Sequence, residues 1–262
     1  MTFCSRSTPE RYSIRAENYL LDADIYLSRA TSAHARGDEQ SAQLFATLSA
    51  QTILKITIEA ARLPLSCSRY LEILKTATKQ LDADELFQNY LAVAKVETLN
   101  AIQVEERLSC FKQVWDEMFG LAKSRASLLD SMHVRIRTKL NYYSAPAFLQ
   151  GAILRSQALL NEAAHQEAAH YLIVTLADVL ENYAWLRAAE QNTRLDYTTL
   201  LRFLKGQKQT PARVYNSAVG ALGLENVDEK KVEETVATAK RLVSDVRQKR
   251  RMFADMLRQE AY

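Results

Sequence analysis

The side chains best suited to chemistry in this sequence are the basic residues near its C-terminus. They crowd into a stretch whose acids are limited to Asp245, Asp255 and Glu260, so positive charge is in local excess. A basic stripe on one element is the electrostatic footprint of a phosphate-bearing ligand. We therefore predict a site for an anionic ligand, such as a nucleotide or RNA, formed by Lys240, Arg241, Arg247, Lys249, Arg250 and Arg251.

Histidine and cysteine give no comparable signal. His165 and His170 are five residues apart, which places them about 140° apart on a helix, too far round to share one metal ion. Three cysteines, none in a CxxC pair, are typical of a reducing compartment and indicate no metal site. We expect neither a metal nor a cofactor.

A second basic stretch leaves two interpretations open. Arg135, Arg137 and Lys139 alternate with apolar residues and are followed by Tyr142 and Tyr143. Positive charge beside aromatic faces suits single-stranded nucleic acid. The same alternation disperses charge around a helix, which is typical of a solvated face.

Composition predicts the elements that must position these residues. The chain has 262 residues, 48% of them hydrophobic and 25% charged, with only 6 Gly and 4 Pro. So few chain breakers predict long helices. No apolar run is long enough for a membrane span, and the N-terminus lacks the pattern of a secretory signal, so a cytoplasmic protein is expected. A net charge of +3 does not by itself imply a nucleic-acid partner.

The clearest predicted unit is a pair of antiparallel helices in residues 8–63. Gly37 is placed to end the first helix and Asp38 to cap the second, which leaves a tight turn between them. Ala46, Ser49 and Ala50 are small, so a neighbouring helix can approach closely. The apolar face of the second helix is predicted to comprise Ala42, Phe45, Leu48, Ser49, Thr52, Ile53, Ile56 and Ala60.

The rest of the chain also has helical periodicity. Asp82 and Glu85 resemble a capping box, a break is expected near Asn100, and residues 124–143 are predicted to form one helix. Thr210 and Pro211 predict another helix start. The last helix should open at Asn226 or Asp228 and carry a heptad seam interrupted only by Arg250, which must then meet an acid across the seam or lie at a groove mouth.

The second half of the sequence resembles the first. A shift of 126 positions places Ala42 on Ala168 and Phe45 on Tyr171, and four inserted residues extend the match to residues 200–205. We predict an all-α protein of two related antiparallel helical bundles with a long C-terminal helix. The expected domains are 1–143 and 144–262.

The first helix pair resembles a HEPN domain, through its tight turn at residues 36–38 and the spacing of Ser41-Ala42, Phe45-Ala46, Ser49-Ala50 and Ile53-Leu54-Lys55. Translin-like helical bundles begin similarly and are an alternative resemblance. Active HEPN proteins cut RNA with an Arg and a His four to six residues apart, late in the domain. Here that spacing occurs at Arg29 and His34 in the first helix, so the chain departs from the pattern of the active family.

Three hypotheses about function follow. The preferred one is a non-catalytic helical module that binds a protein partner or an anionic ligand, nucleotide or RNA. The first alternative is a HEPN-type RNA-cleaving enzyme, in which a histidine would act as acid or base. The second is a structural homo-oligomer joined through the C-terminal helix.

Overall fold

The computed structural model describes residues 9–206 and 212–259, and every regular element among them is a helix. The prediction of an all-α protein is therefore confirmed. The predicted start at Thr210 and Pro211 lies outside the described residues. The helices are α1 (Pro9–Ala35), α2 (Glu39–Ala60), α3 (Tyr70–Gln80), α4 (Asp84–Ala94), α5 (Ala101–Ser124), α6 (Ala126–Ser131), α7 (Val134–Tyr143), α8 (Pro146–Asn161), α9 (His165–Glu190), α10 (Leu200–Gly206), α11 (Ala212–Leu222) and α12 (Glu229–Gln259).

Helix boundaries follow the local signals in most places. Gly37 adopts a φ of 67° after α1, and the Asp38 side chain accepts a hydrogen bond from the Ser41 backbone N–H at 3.2 Å. Asn100 forms a capping box with Gln103 at the start of α5, so the predicted break near Asn100 is confirmed. Asp228 accepts from the Lys231 N–H at 3.2 Å and opens α12.

Two local predictions are wrong. The capping box at Asp82 does not form, because Asp82 takes a left-handed turn with φ 48° and α4 begins only at Asp84. Residues 124–143 form two helices, α6 and α7, because Met132 is extended between them. The His133 ring then accepts a hydrogen bond from the Arg135 N–H at 3.3 Å, which starts the second of the two.

The helices group into two compact units that do not follow the expected boundary between residues 143 and 144. Unit 1 joins Met1–Glu97 to Asp228–Tyr262, and unit 2 is Thr98–Val227. The difference arises from α5 and α12. The C-terminal helix contacts α1, α2 and α4, whereas α5 contacts α8, α9 and α11.

Unit 1 is built around α2. Every residue of α2 from Ser41 to Ala60 except Lys55 is buried, because α1, α3, α4 and α12 all contact this helix. The predicted apolar face was therefore too narrow. Polar groups in α2 find partners within the unit: Ser49 Oγ donates to the Ala23 carbonyl at 2.8 Å, and Gln43 Nε2 donates to the Val93 carbonyl at 2.8 Å.

Unit 2 has its own central helix, α9, which contacts the other helices of the unit from α5 to α11. Its C-terminal turn holds a largely buried ion pair in which Arg187 NH1 donates to Glu190 Oε2 at 2.6 Å. Arg125, at the end of α5, donates to the other oxygen of the same carboxylate at 3.0 Å. A buried guanidinium needs such a carboxylate to offset its lost hydration.

Candidate functional site

The six basic residues predicted to bind an anion lie on α12, and three of them are held in ion pairs inside unit 1. Arg247 pairs with Asp24 at 2.6 Å, Lys249 with Glu85 at 2.7 Å, and Arg250 with Glu17 at 2.5 Å. The acids come from α1 and α4. Arg250 thus meets an acid across the seam, one of the two outcomes expected for it, and these three charges mainly join α12 to its neighbours.

The other three, Lys240, Arg241 and Arg251, are exposed. Within residues 9–206 and 212–259 none of the three has a carboxylate partner. Lys240 and Arg241 border an open groove of about 650 Å³ whose described lining comes from α12 alone, and Arg251 lies further along the helix. The predicted cluster therefore consists of three residues with carboxylate partners and three without such partners among the described residues. The groove, called the α12 groove below, is lined by Glu234, Ala237, Thr238, Lys240, Arg241 and Ser244.

The groove lies on the solvent-facing side of α12, whose opposite side carries the predicted seam. That seam is buried at Val232, Ala239, Val243, Val246, Phe253 and Leu257. Arg241 NH2 donates to Thr238 Oγ1 at 2.8 Å, which holds the guanidinium along the helix surface. The two cations, Lys240 and Arg241, outnumber the single carboxylate of Glu234, so the described lining of the groove has a net positive charge.

Arg29 and His34, the Arg–His pair of α1, make contacts of different kinds. The Arg29 guanidinium lies 5.6 Å from the ring centroids of both Tyr26 and Phe45, where it stacks on aromatic faces. His34 Nδ1 lies 2.8 Å from Glu39 Oε2 at the start of α2. The stacking contacts of Arg29 and the hydrogen bond of His34 thus involve different residues.

The remaining histidine and tyrosine candidates have structural surroundings. His170 is fully buried in α9, whereas His165 is the first residue of that helix and is half-buried. Among the described residues no group of three His, Cys, Asp or Glu could hold a metal ion. Tyr12 is 1% exposed, and its burial raises the pKa of the phenol well above the ordinary value. Tyr26 stacks on Phe45 with ring centroids 6.4 Å apart.

Sequence reasoning missed a polar cluster in unit 2 at the junction of α5 and α11. The Arg107 guanidinium lies against Gly223, which has a φ of 68° and no side chain to obstruct it. Burial lowers the pKa of Arg107 while Glu225 opposes that shift, and burial together with Glu225 and Glu106 raises the pKa of the Cys110 thiol. A raised pKa leaves less of the reactive thiolate at neutral pH, which disfavours Cys110 as a nucleophile.

The missed contacts share one cause. Arg107 and Glu225 stand on segments far apart in the chain, as do Arg15 and the buried Glu59, whose carboxylate accepts from Arg15 NH1 at 2.9 Å. No spacing along the sequence joins such residues. The charged residue inside the apolar pattern of α2, Glu59, was the one signal that a partner must exist.

Comparison with family models, curated proteins and solved structures found no match for the chain. The resemblance to HEPN and translin-like proteins therefore stays a prediction carried by the residues of the first helix pair. Among the described helices, none has the length and apolar character that crossing a membrane requires.

Proposed function

We propose that the protein is a non-catalytic helical module that binds an anionic ligand, a nucleotide or RNA, in the α12 groove. One observation carries this proposal: Lys240 and Arg241 share the groove and have no carboxylate partner among the described residues. Neighbouring basic residues of the same helix are neutralised by Asp24, Glu85 and Glu17.

The chemistry of the groove suits a phosphate. A lysine ammonium acts as a compact point charge, while a guanidinium presents parallel N–H donors to two phosphate oxygens. The hydroxyls of Thr238 and Ser244 can add neutral donors. Glu234 repels an anion, so the ligand should sit toward the Lys240 and Arg241 end.

The enzyme alternative has less support among the described residues, where Arg29 stacks on Tyr26 and Phe45 while His34 contacts Glu39. The seam of α12 is filled by helices of its own unit, so the structural oligomer through this seam is less well supported than binding at the groove. A protein partner stays a prediction. Its best candidate surface is the row of exposed apolar side chains on α1, Ile14, Leu21 and Ile25.

Binding of a labelled single-stranded RNA and of a labelled nucleotide triphosphate, measured by fluorescence anisotropy against salt concentration, tests the proposal. Two phosphate contacts should make the logarithm of the RNA association constant fall with the logarithm of salt at a slope of about −1.4. The double substitution Lys240→Ala and Arg241→Ala should remove most of the binding and flatten this slope.

The matched control is Arg135→Ala with Lys139→Ala, which removes the same charge from exposed positions on α7 in unit 2. It should leave the affinity nearly unchanged. If the α7 variant loses binding and the groove variant does not, the anion site has been placed on the wrong unit. Affinity that does not respond to salt would contradict the anionic ligand itself.

A further inference from the structure

The turn between α1 and α2 recurs between α8 and α9. Gly37 and Ala163 occupy the same place in the two turns, 126 positions apart, with φ of 67° and 57°. The next residue closes each turn in the same way: the Asp38 N–H donates to the Ala33 carbonyl at 2.9 Å, and the Ala164 N–H donates to the Leu159 carbonyl at 2.8 Å. A positive φ is sterically unfavourable for alanine and favourable for glycine, so the second turn keeps the same backbone conformation although Ala163 is not the favoured residue there.

The ends of the two central helices also match. Arg62 follows α2 with φ 55° and Asn192 follows α9 with φ 51°. The Leu63 N–H then donates to the Ile58 carbonyl at 3.2 Å, and the Thr193 N–H donates to the Ala188 carbonyl at 2.8 Å. The shift here is 130 positions, because α9 has 26 residues and α2 has 22, about one helical turn more. The next helices, α3 and α10, begin 130 positions apart as well.

The third match is at the connectors that precede α5 and α12. Lys95 and Gly223 end the preceding helices with φ of 52° and 68°, and the following residues, Val96 and Leu224, are buried. Both connectors finish in a capping residue, Asn100 or Asp228, 128 positions apart. In each case the chain passes from one unit to the other within or directly beside this connector.

The packing of the helices shows what the two connectors do. Helix α12 contacts α1, α2 and α4 in unit 1, and α5 contacts α8, α9 and α11 in unit 2. These are equivalent sets, since α1, α2 and α4 correspond to α8, α9 and α11 by the turns that join them. Yet α5 follows α4 in the chain, and α12 follows α11. The last helix of each series therefore packs on the helices of the other series.

We propose that the chain is a duplicated five-helix repeat whose two copies exchange their last helices. The face of α1, α2 and α4 that α12 covers is accordingly a docking surface for α12 of a second copy of this chain. The surface is specific. It receives the buried seam of α12, and the three ion pairs to Asp24, Glu85 and Glu17 line its edges.

Within one chain the short connector gives α12 an effective concentration in roughly the millimolar range at its docking surface. A second copy therefore competes only when the connector cannot reach or when chains refold together at high concentration. Exchange of an identical element between copies needs no new interface, because the same contacts form in the monomer and in the dimer.

Shortening the connector of the full chain tests this. Deleting Asn226 and Val227 removes about 7 Å of reach before α12. We expect the variant to keep its helix content and to have twice the mass of one chain in size-exclusion chromatography with light scattering. The matched control deletes Leu65 and Ser66 from the loop between α2 and α3, which lies within one unit, and should remain a monomer. A folded monomer from the first deletion overturns the proposal.

If the shortened chain does not fold, an experiment with the connector intact tests whether α12 is exchanged between two chains. Two chains lacking the native cysteines, one with Glu17→Cys and one with Arg250→Cys, are unfolded together in urea and refolded together at high concentration. A short bismaleimide should then join them, because residues 17 and 250 face each other across the α1–α12 contact. Chains refolded separately and then mixed should give little of this product. No product above that background in the co-refolded sample overturns the proposal.

Discussion

Ala46 lies at the centre of unit 1, where the packing leaves little room for a larger side chain. Its side chain is fully buried on α2, which is surrounded by four other helices. A leucine there adds three carbon atoms to a packed site and must push a neighbouring helix away. Ala46→Leu is therefore expected to lower the free energy of unfolding by roughly 1 to 3 kcal/mol, measured by urea denaturation.

The matched control for that substitution is Ala237→Leu, which makes the same change at an exposed position of α12. It should change stability by less than about 0.5 kcal/mol, as surface substitutions usually do. Equal effects at the two positions would mean that Ala46 does not face the core.

At the scale of elements, the ion pair between Lys249 and Glu85 joins α12 to α4. The hydrogen bond from Lys249 holds the pKa of Glu85 below its ordinary value, although this carboxylate is largely exposed. A carboxylate with a lowered pKa in the folded state adds stability above its unfolded pKa. That contribution is lost as the pH falls through the folded pKa.

Replacing Lys249 by Met should move the titration midpoint of the Glu85 carboxyl carbon, followed by NMR, back toward the ordinary value. It should also remove part of the acid sensitivity of unfolding. Lys240→Met is the control, because Lys240 has no carboxylate partner among the described residues and should leave the Glu85 titration in place. A Glu85 midpoint that does not move in the Lys249 variant would mean that the ion pair does not persist in solution.

Most helices and their ends could be predicted from the sequence, because capping residues, glycines and apolar periodicity are local features of the chain. Gly37 and Asp38 marked the first turn, Asn100 marked a break, and the seam of α12 was visible in its heptads. The helices that pack against this seam could not be predicted from the sequence. Arg247 bonds to Asp24 across 223 positions of sequence, and no periodicity carries such information.

The candidate site was predictable to the same degree. The sequence identified the basic residues of α12, but only the fold shows which of them are neutralised. Arg247, Lys249 and Arg250 have carboxylate partners, whereas Lys240 and Arg241 have none among the described residues. Charge along a helix is a property of sequence. The acids that neutralise it come from other elements, so the free charge is a property of the packed unit.

At the scale of the whole molecule, the assignment of α12 to unit 1 predicts an unusual response to truncation. Ending the chain after Val227 removes α12, which among the described helices is the only one of unit 1 outside residues 1–97, and it leaves every described helix of unit 2 in place. Without α12 the apolar side of α1, α2 and α4 meets water, since α12 covers it in the intact chain.

Hydrogen exchange followed by mass spectrometry should therefore show the truncated chain losing protection throughout α1 to α4, more than 130 residues before the cut in the sequence. Amides of α5 and α9 should remain protected, because α8 and α11, which pack on both, are still present. A boundary between residues 143 and 144 makes the opposite prediction, with protection lost in α8 to α11 beside the missing helix. The location of the lost protection thus distinguishes a helix donated to the other unit from a helix packed beside its neighbours in sequence.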